Sequence, residues 1–100
     1  MPGFSISKIR NSCESVALIL KSLSHPQRLL VLGHLLQSPK TVGELIDLCQ
    51  ISQSQMSQFL TRMKNEGLLD SEKKGKYQVY SISDERLIHL MEVIQKEYCH

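Results

Sequence analysis

The chain has little of most things that would announce a function outright. Only three cysteines, Cys13, Cys49 and Cys99, are spread over its 100 residues, too few and too scattered for a disulfide framework. No apolar run approaches the roughly 18 residues that a membrane span requires. The N-terminal MPGFSISKIRNSCES lacks the apolar core of a secretory signal, so the cytoplasm is the expected location and no membrane partner is expected. There is no nucleophile–base signature, no Gly-rich phosphate loop and no acidic pair in an evident pocket, so neither an enzyme nor a cofactor is expected and no residue is assigned a catalytic role. Net charge is only +2, too small to indicate nucleic acid by itself.

What is present is an ordinary globular composition, 41% apolar and 22% charged, which excludes a disordered chain. One hundred residues suffice for one core but not two, so residues 1–100 are read as a single domain. No repeat, low-complexity segment or linker interrupts it. Three helix starts carry capping-box spacing: Ser24-x-x-Gln27, Thr41-x-x-Glu44 and Ser52-x-x-Gln55. Pro26 falls in a first turn, where its missing N–H costs nothing. Gly67 reads as the left-handed residue that ends a helix.

Apolar spacing completes the outline. Ile9, Cys13, Val16, Ala17, Leu20 and Leu23 recur at helical intervals, as do Leu29, Leu32, Leu35 and Leu36 after the cap. A short helix bears Val42, Leu45, Ile46 and Leu48. The next turns Met56, Phe59, Leu60 and Met63 inward, leaving Gln53, Ser54, Ser57, Gln58 and Thr61 outward. Tyr77, Val79, Tyr80 and Ile82 around Lys74-Gly75-Lys76 predict a β-hairpin over about 69–82. Leu87, Leu90, Met91, Ile94 and Tyr98 predict a last helix starting near Asp84. The predicted order is α-α-α-α-β-β-α, a mainly helical fold with one small hairpin.

A scaffold helix (Thr41–Leu48), a turn (Cys49–Ile51) and a longer helix (Ser52–Glu66) make a helix-turn-helix over about 41–66. In such a motif the second helix enters the major groove, its N-terminal residues nearest the bases. Gln53, Ser54, Gln55, Ser57, Gln58 and Thr61 are the candidates for base contacts, since amides and hydroxyls both donate to and accept from base edges. Gln55 is also claimed by its capping box. Arg62 and Lys64 are placed for phosphates, and Lys73, Lys74 and Lys76 around Gly75 suit a wing that follows the backbone. From Ser52 to Gln78 five basic residues face three acids; from Val79 onward four acids face two bases. The same residues also fit a solvated helical hairpin, or an interaction module that uses this scaffold on another protein. The polar helix face together with the basic hairpin weighs toward duplex DNA.

HPQRLLVLGHLL, TVGELIDL, ISQSQMSQFLTRMKNEGLL and the wing ending in VYSI together resemble the ArsR/SmtB family of winged-helix repressors over roughly Ala17 to Ile82. EVIQKEYCH extends the resemblance to its dithiol-sensing, HlyU/BigR-like branch. The resemblance implies a homodimer through first and last helices, bound to an imperfect inverted repeat in a promoter until an inducer lowers DNA affinity. Leu18, Ile19, Ile88 and Val93 widen the apolar surface of those two helices beyond one face, which agrees with burial against a second copy.

The resemblance also frames what is sensed. Metal-sensing branches place Cys-x-Cys in the helix matching Thr41–Leu48, where this chain has Thr41 and Gly43. Asp84, His89 and His100 do not reproduce the second metal spacing, and His25 and His34 stand apart, so no metal site is expected. In the dithiol branch Cys99 matches the second cysteine, but the first falls on Gly33. Three readings stay open: Cys13 substitutes and pairs with Cys99, Cys99 acts alone, or the protein senses no oxidant. A disulfide needs Cα atoms within about 7 Å. Cys49 reads as a packing residue.

Overall fold

A computed structural model describes residues 3–100. Its elements are α1 (Ile6–Leu23), α2 (Pro26–Gln37), β1 (Lys40–Thr41), α3 (Val42–Cys49), α4 (Gln53–Asn65), β2 (Leu69–Lys74), β3 (Tyr77–Ile82) and α5 (Glu85–Tyr98). The predicted order holds, with one addition. Two-residue β1 pairs antiparallel with β3 (Lys40 opposite Tyr80, Thr41 opposite Val79), so β3 is central in a three-stranded sheet of order β1-β3-β2. Two residues carry no periodicity, so this strand leaves no sequence signal.

Local chemistry explains the boundaries. At α3 the capping box is complete: Glu44 N–H donates to Thr41 Oγ1 at 3.1 Å and Thr41 N–H donates to Glu44 Oε1 at 2.9 Å. At α4 it is half made. Gln55 N–H donates to Ser52 Oγ at 3.1 Å, and no return bond from the Gln55 side chain occurs among the described residues. The expected cap at Ser24 is corrected: His25 caps α2, its Nδ1 accepting from Gln27 N–H at 3.2 Å. Pro26 is the cause, because it forces the residue before it into the extended backbone that an N-cap needs. Ser24 instead closes α1.

The C-terminal end of α4 follows the expectation. Gly67 has φ +81°, and the bonds Gly67 N–H to Lys64 O and Leu68 N–H to Met63 O, at 3.0 and 2.9 Å, form a Schellman motif. The hairpin turn, Gly75-Lys76, has positive φ at Gly75 alone, the type II′ pattern that suits the twist of a tight hairpin.

The core gathers Val31, Leu32 and Leu35 of α2, Leu45 of α3, Met56, Phe59, Leu60 and Met63 of α4, Leu68–Leu69, and Leu87 and Met91 of α5. Met56, Leu60 and Met63 have no exposed surface, and each such side chain contributes roughly 1.5–3 kcal/mol on burial. The inner face therefore anchors α4 and frees its outer face for other work. Phe59 also packs edge-on against His25 at 5.0 Å, with the Arg28 guanidinium 5.3 Å above its ring, tying α2 to α4.

The outer helices depart from simple core packing. Along α1 only Ser22 and Leu23 are buried, while Ile9, Val16, Leu18 and Leu20 stay exposed. Tyr98, expected on the inward stripe of α5, is 79% exposed, and Leu48 of α3 is also exposed. The helical periods are right, but much of these stripes has no partner within one chain.

Candidate nucleic-acid interface

Two helices in contact, α3 and α4, joined by a short turn and followed by a hairpin, position the outer face of α4. The turn closes on Gln50, a non-glycine residue at φ 56°, whose amide Nε2 donates to Asp47 O at 2.7 Å. Residues other than Gly and, occasionally, Asn or Asp rarely adopt this left-handed conformation, so the Gln50 side-chain bond to Asp47 O accompanies a strained position. No sequence pattern flagged Gln50.

All six residues expected to face bases lie on α4. Gln53, Ser54, Ser57, Gln58 and Thr61 are exposed and Gln55 is half-buried. None of their side chains makes a hydrogen bond among the described residues. Because the return bond of the cap is unmade, the Gln55 amide is not consumed there. The face is thus a row of uncharged donors and acceptors with no protein partner among the described residues.

The basic candidates divide into three environments. Arg62 Nε donates to Glu66 Oε1 at 3.2 Å, an exposed i,i+4 pair worth only about 0.3–0.5 kcal/mol and easily exchanged for a phosphate. Lys64 Nζ crosses from α4 to the hairpin and donates to Ser71 Oγ at 2.6 Å, where Gln78 Nε2 also donates at 2.8 Å. Lys73, Lys74 and Lys76 are exposed, Lys76 lying 5.4 Å from the Tyr77 ring centre. Sequence reasoning missed Ser71 and Gln78; serine and glutamine in a short hairpin carry no distinguishing signal.

Strand alternation sorts the charges of the hairpin. Lys73 sits opposite Gln78 and Ser71 opposite Tyr80, so Leu69, Ser71, Lys73, Gln78, Tyr80 and Ile82 share one face. Asp70, Glu72 and Lys74 fall on the other. The side toward α4 thus carries Lys64 and Lys73, with both hairpin acids turned away.

The three thiols are free. Cys49 is buried, as its packing reading expected, and burial pushes its pKa above the ordinary thiol value. Cys13 is exposed on α1, and Cys99 is exposed just after α5. Cys99 lines a groove of about 880 Å³ between α2 and α5 together with Gly33; Cys13 does not line it. A Cβ built on Gly33 would meet nothing within 4 Å. Cys99 and Gly33 thus line the same groove. No group of three or more metal-ligating side chains occurs among the described residues, and none of their helices is long and apolar enough to cross a membrane.

The architecture is that of a winged helix-turn-helix, with α3 and α4 as the helical pair and β2–β3 as the wing. Residues 25–71 match the family model described as bacterial regulatory protein, arsR family. The chain is 39% identical over 95 residues to the HTH-type transcriptional regulator YgaV of Escherichia coli, covering 94% of this chain and 96% of that protein. It is 32% identical over 90 residues to the transcriptional activator HlyU of Vibrio cholerae, covering 90% and 82%. The crystal structure of the transcriptional repressor BigR from Xylella fastidiosa superposes with a TM-score of 0.91 at 26% identity, covering 97% and 99%. The chain belongs to the ArsR family of bacterial regulatory proteins, among relatives of the HlyU and BigR type. All three are regulators of transcription by name.

Proposed function

We propose that the protein is a single-domain, dimeric transcriptional regulator that binds an inverted-repeat operator in duplex promoter DNA, acting as a repressor in the cytoplasm. One observation carries this reading. The inner face of α4 is wholly buried while its outer face presents Gln53, Ser54, Ser57, Gln58 and Thr61, uncharged and uncommitted, beside a basic hairpin. These residues, with Gln55 at their edge, meet bases; Arg62, Lys64, Lys73, Lys74 and Lys76 meet the backbone. Exposed Leu18 and Leu20 of α1 and Val93 of α5 support a dimer interface through those helices, since contiguous apolar patches on a small protein mark contact surfaces. Two linked half-sites also bind far more tightly than one.

A Cys13–Cys99 switch requires the two exposed thiols to meet. The reading stands without a redox step. Its test is selection of duplexes from a random pool by the purified protein, followed by binding at increasing salt. Enrichment of an inverted repeat, with affinity falling steeply as salt rises, is the expected result. Absence of both would refute it.

A further inference from the structure

The Lys64–Ser71–Gln78 cluster sits where the recognition helix meets the wing, and its hydrogen bonding has a direction. A serine oxygen has two lone pairs. Here Lys64 Nζ and Gln78 Nε2 take both, at 2.6 and 2.8 Å. The Ser71 hydroxyl proton must then point away from both donors. Lys64 keeps further N–H groups free, Gln78 keeps its second, and Lys73 stands opposite Gln78 on the same face. Asp70 and Glu72 alternate to the other face of the hairpin. The seam thus offers donors and positive charge, with no carboxylate in the network.

Its placement matches a feature of duplex DNA. If α4 lies in the major groove and the wing follows the neighbouring minor groove, one sugar–phosphate strand separates the two grooves. That strand must pass over the seam between α4 and β2. We propose that Lys64, Ser71 and Gln78 form a seat for one backbone phosphodiester of duplex DNA, in which Ser71 is the positioning residue that aligns the two flanking donors. This rests on the DNA-binding reading of α4 and the wing. It adds Ser71 and Gln78, which the reading does not contain, and joins them to Lys64 on a single phosphodiester. The seat also sets the wing relative to the helix, because both ends of the network close on one hydroxyl.

The test uses the full-length protein and a fluorescent random-sequence duplex, with anisotropy measured over a series of salt concentrations. Lys64→Ala should weaken binding and lower the slope of log Kd against log salt by about two per bound dimer, one for each lost cation. Ser71→Ala should weaken binding about three- to tenfold, the loss of a charge-assisted hydrogen bond. In a Lys64→Ala background the same change should cost no more than about twofold, because the two residues act on one phosphate. Ser71→Thr keeps the hydroxyl and should bind like the wild type. Gln78→Ala, at an exposed position outside the core, should weaken binding in the same direction by less. Melting midpoints, recorded for every variant, separate loss of binding from loss of fold. A Ser71→Ala loss of equal size in both backgrounds overturns the seat, as does full affinity in both Ser71→Ala and Gln78→Ala. Wild-type protein that binds the duplex without salt dependence, or fails to bind, instead removes the DNA-binding reading beneath it.

Discussion

The most discriminating perturbation is Ser57→Ala with Gln58→Ala. Both side chains are exposed on α4 and neither touches the core formed by Met56, Phe59, Leu60 and Met63. Alanine has higher helix propensity than serine or glutamine, so the fold should be unharmed and its melting temperature unchanged or slightly raised. The cost falls on sequence reading. A glutamine that pairs bidentately with adenine discriminates by about 1–3 kcal/mol. A dimer makes that contact twice, so the operator loses about 2–6 kcal/mol, at least roughly thirtyfold in Kd. No charge is removed, so random-sequence binding and the salt slope should stay as they were. The assay is anisotropy with two duplexes of equal length, one carrying the selected inverted repeat and one scrambled. A large loss on the first with little on the second is expected. Equal losses on both would show that these residues face the backbone or solvent, and the assignment of the polar face to base contacts would fall.

Four further outcomes test other parts of the structure. Lys73→Ala should weaken binding to any duplex and lower the salt slope, whereas Lys74→Ala, which shares its face with Asp70 and Glu72, should do less; equal slopes would refute the sorting of charge by strand face. Leu18→Glu with Val93→Glu should turn a dimer into a monomer in analytical ultracentrifugation, and a persistent dimer would place the interface elsewhere. Cys13 and Cys99 should alkylate rapidly at neutral pH while Cys49 lags, because burial both shields it and raises its pKa; equal rates by mass spectrometry would contradict that burial. Glu44 has its pKa held below the ordinary 4.5, chiefly by the Thr41 backbone N–H. Its contribution to stability is therefore full above that ordinary value and is lost as pH falls through the lowered one, so Glu44→Gln should flatten the acid side of the melting profile; superimposable profiles would exclude the linkage.

Much of this molecule was legible because its helices are signed at their ends. Thr41-x-x-Glu44, Pro26 and Gly67 each has a local physical reason for its place, and each is found there. The polar face of α4 was legible for the same reason: the inward residues follow a 3.6 period and the remainder must point out. Where local signals competed, the stronger one won. Pro26 imposed extended backbone on His25, and the cap moved one residue from Ser24. What could not be read depends on distance between elements. β1 exists only because β3 pairs with it, and Ser71 matters only because Lys64 reaches it across seven positions of chain. The stripe on α1 was visible as helical, but periodicity does not say whether its partner is the same chain or another copy.

The small net charge of +2 is not an obstacle to binding a polyanion, because the fold separates what the sum combines. Of the three acids between Ser52 and Gln78, Glu66 is paired with Arg62, and Asp70 and Glu72 alternate away from α4 on a strand whose register is set by Leu69 opposite Ile82. Lys64 and Lys73 remain on the near side with Ser71 and Gln78. A one-residue slip of β2 would exchange the two sets, turning both carboxylates toward α4 and moving Leu69 out of the core. Burial of Leu69 therefore holds the electrostatics of the wing as well as its packing. The hydrophobic pattern that selects one register for the hairpin selects the charge it would present to a phosphate strand.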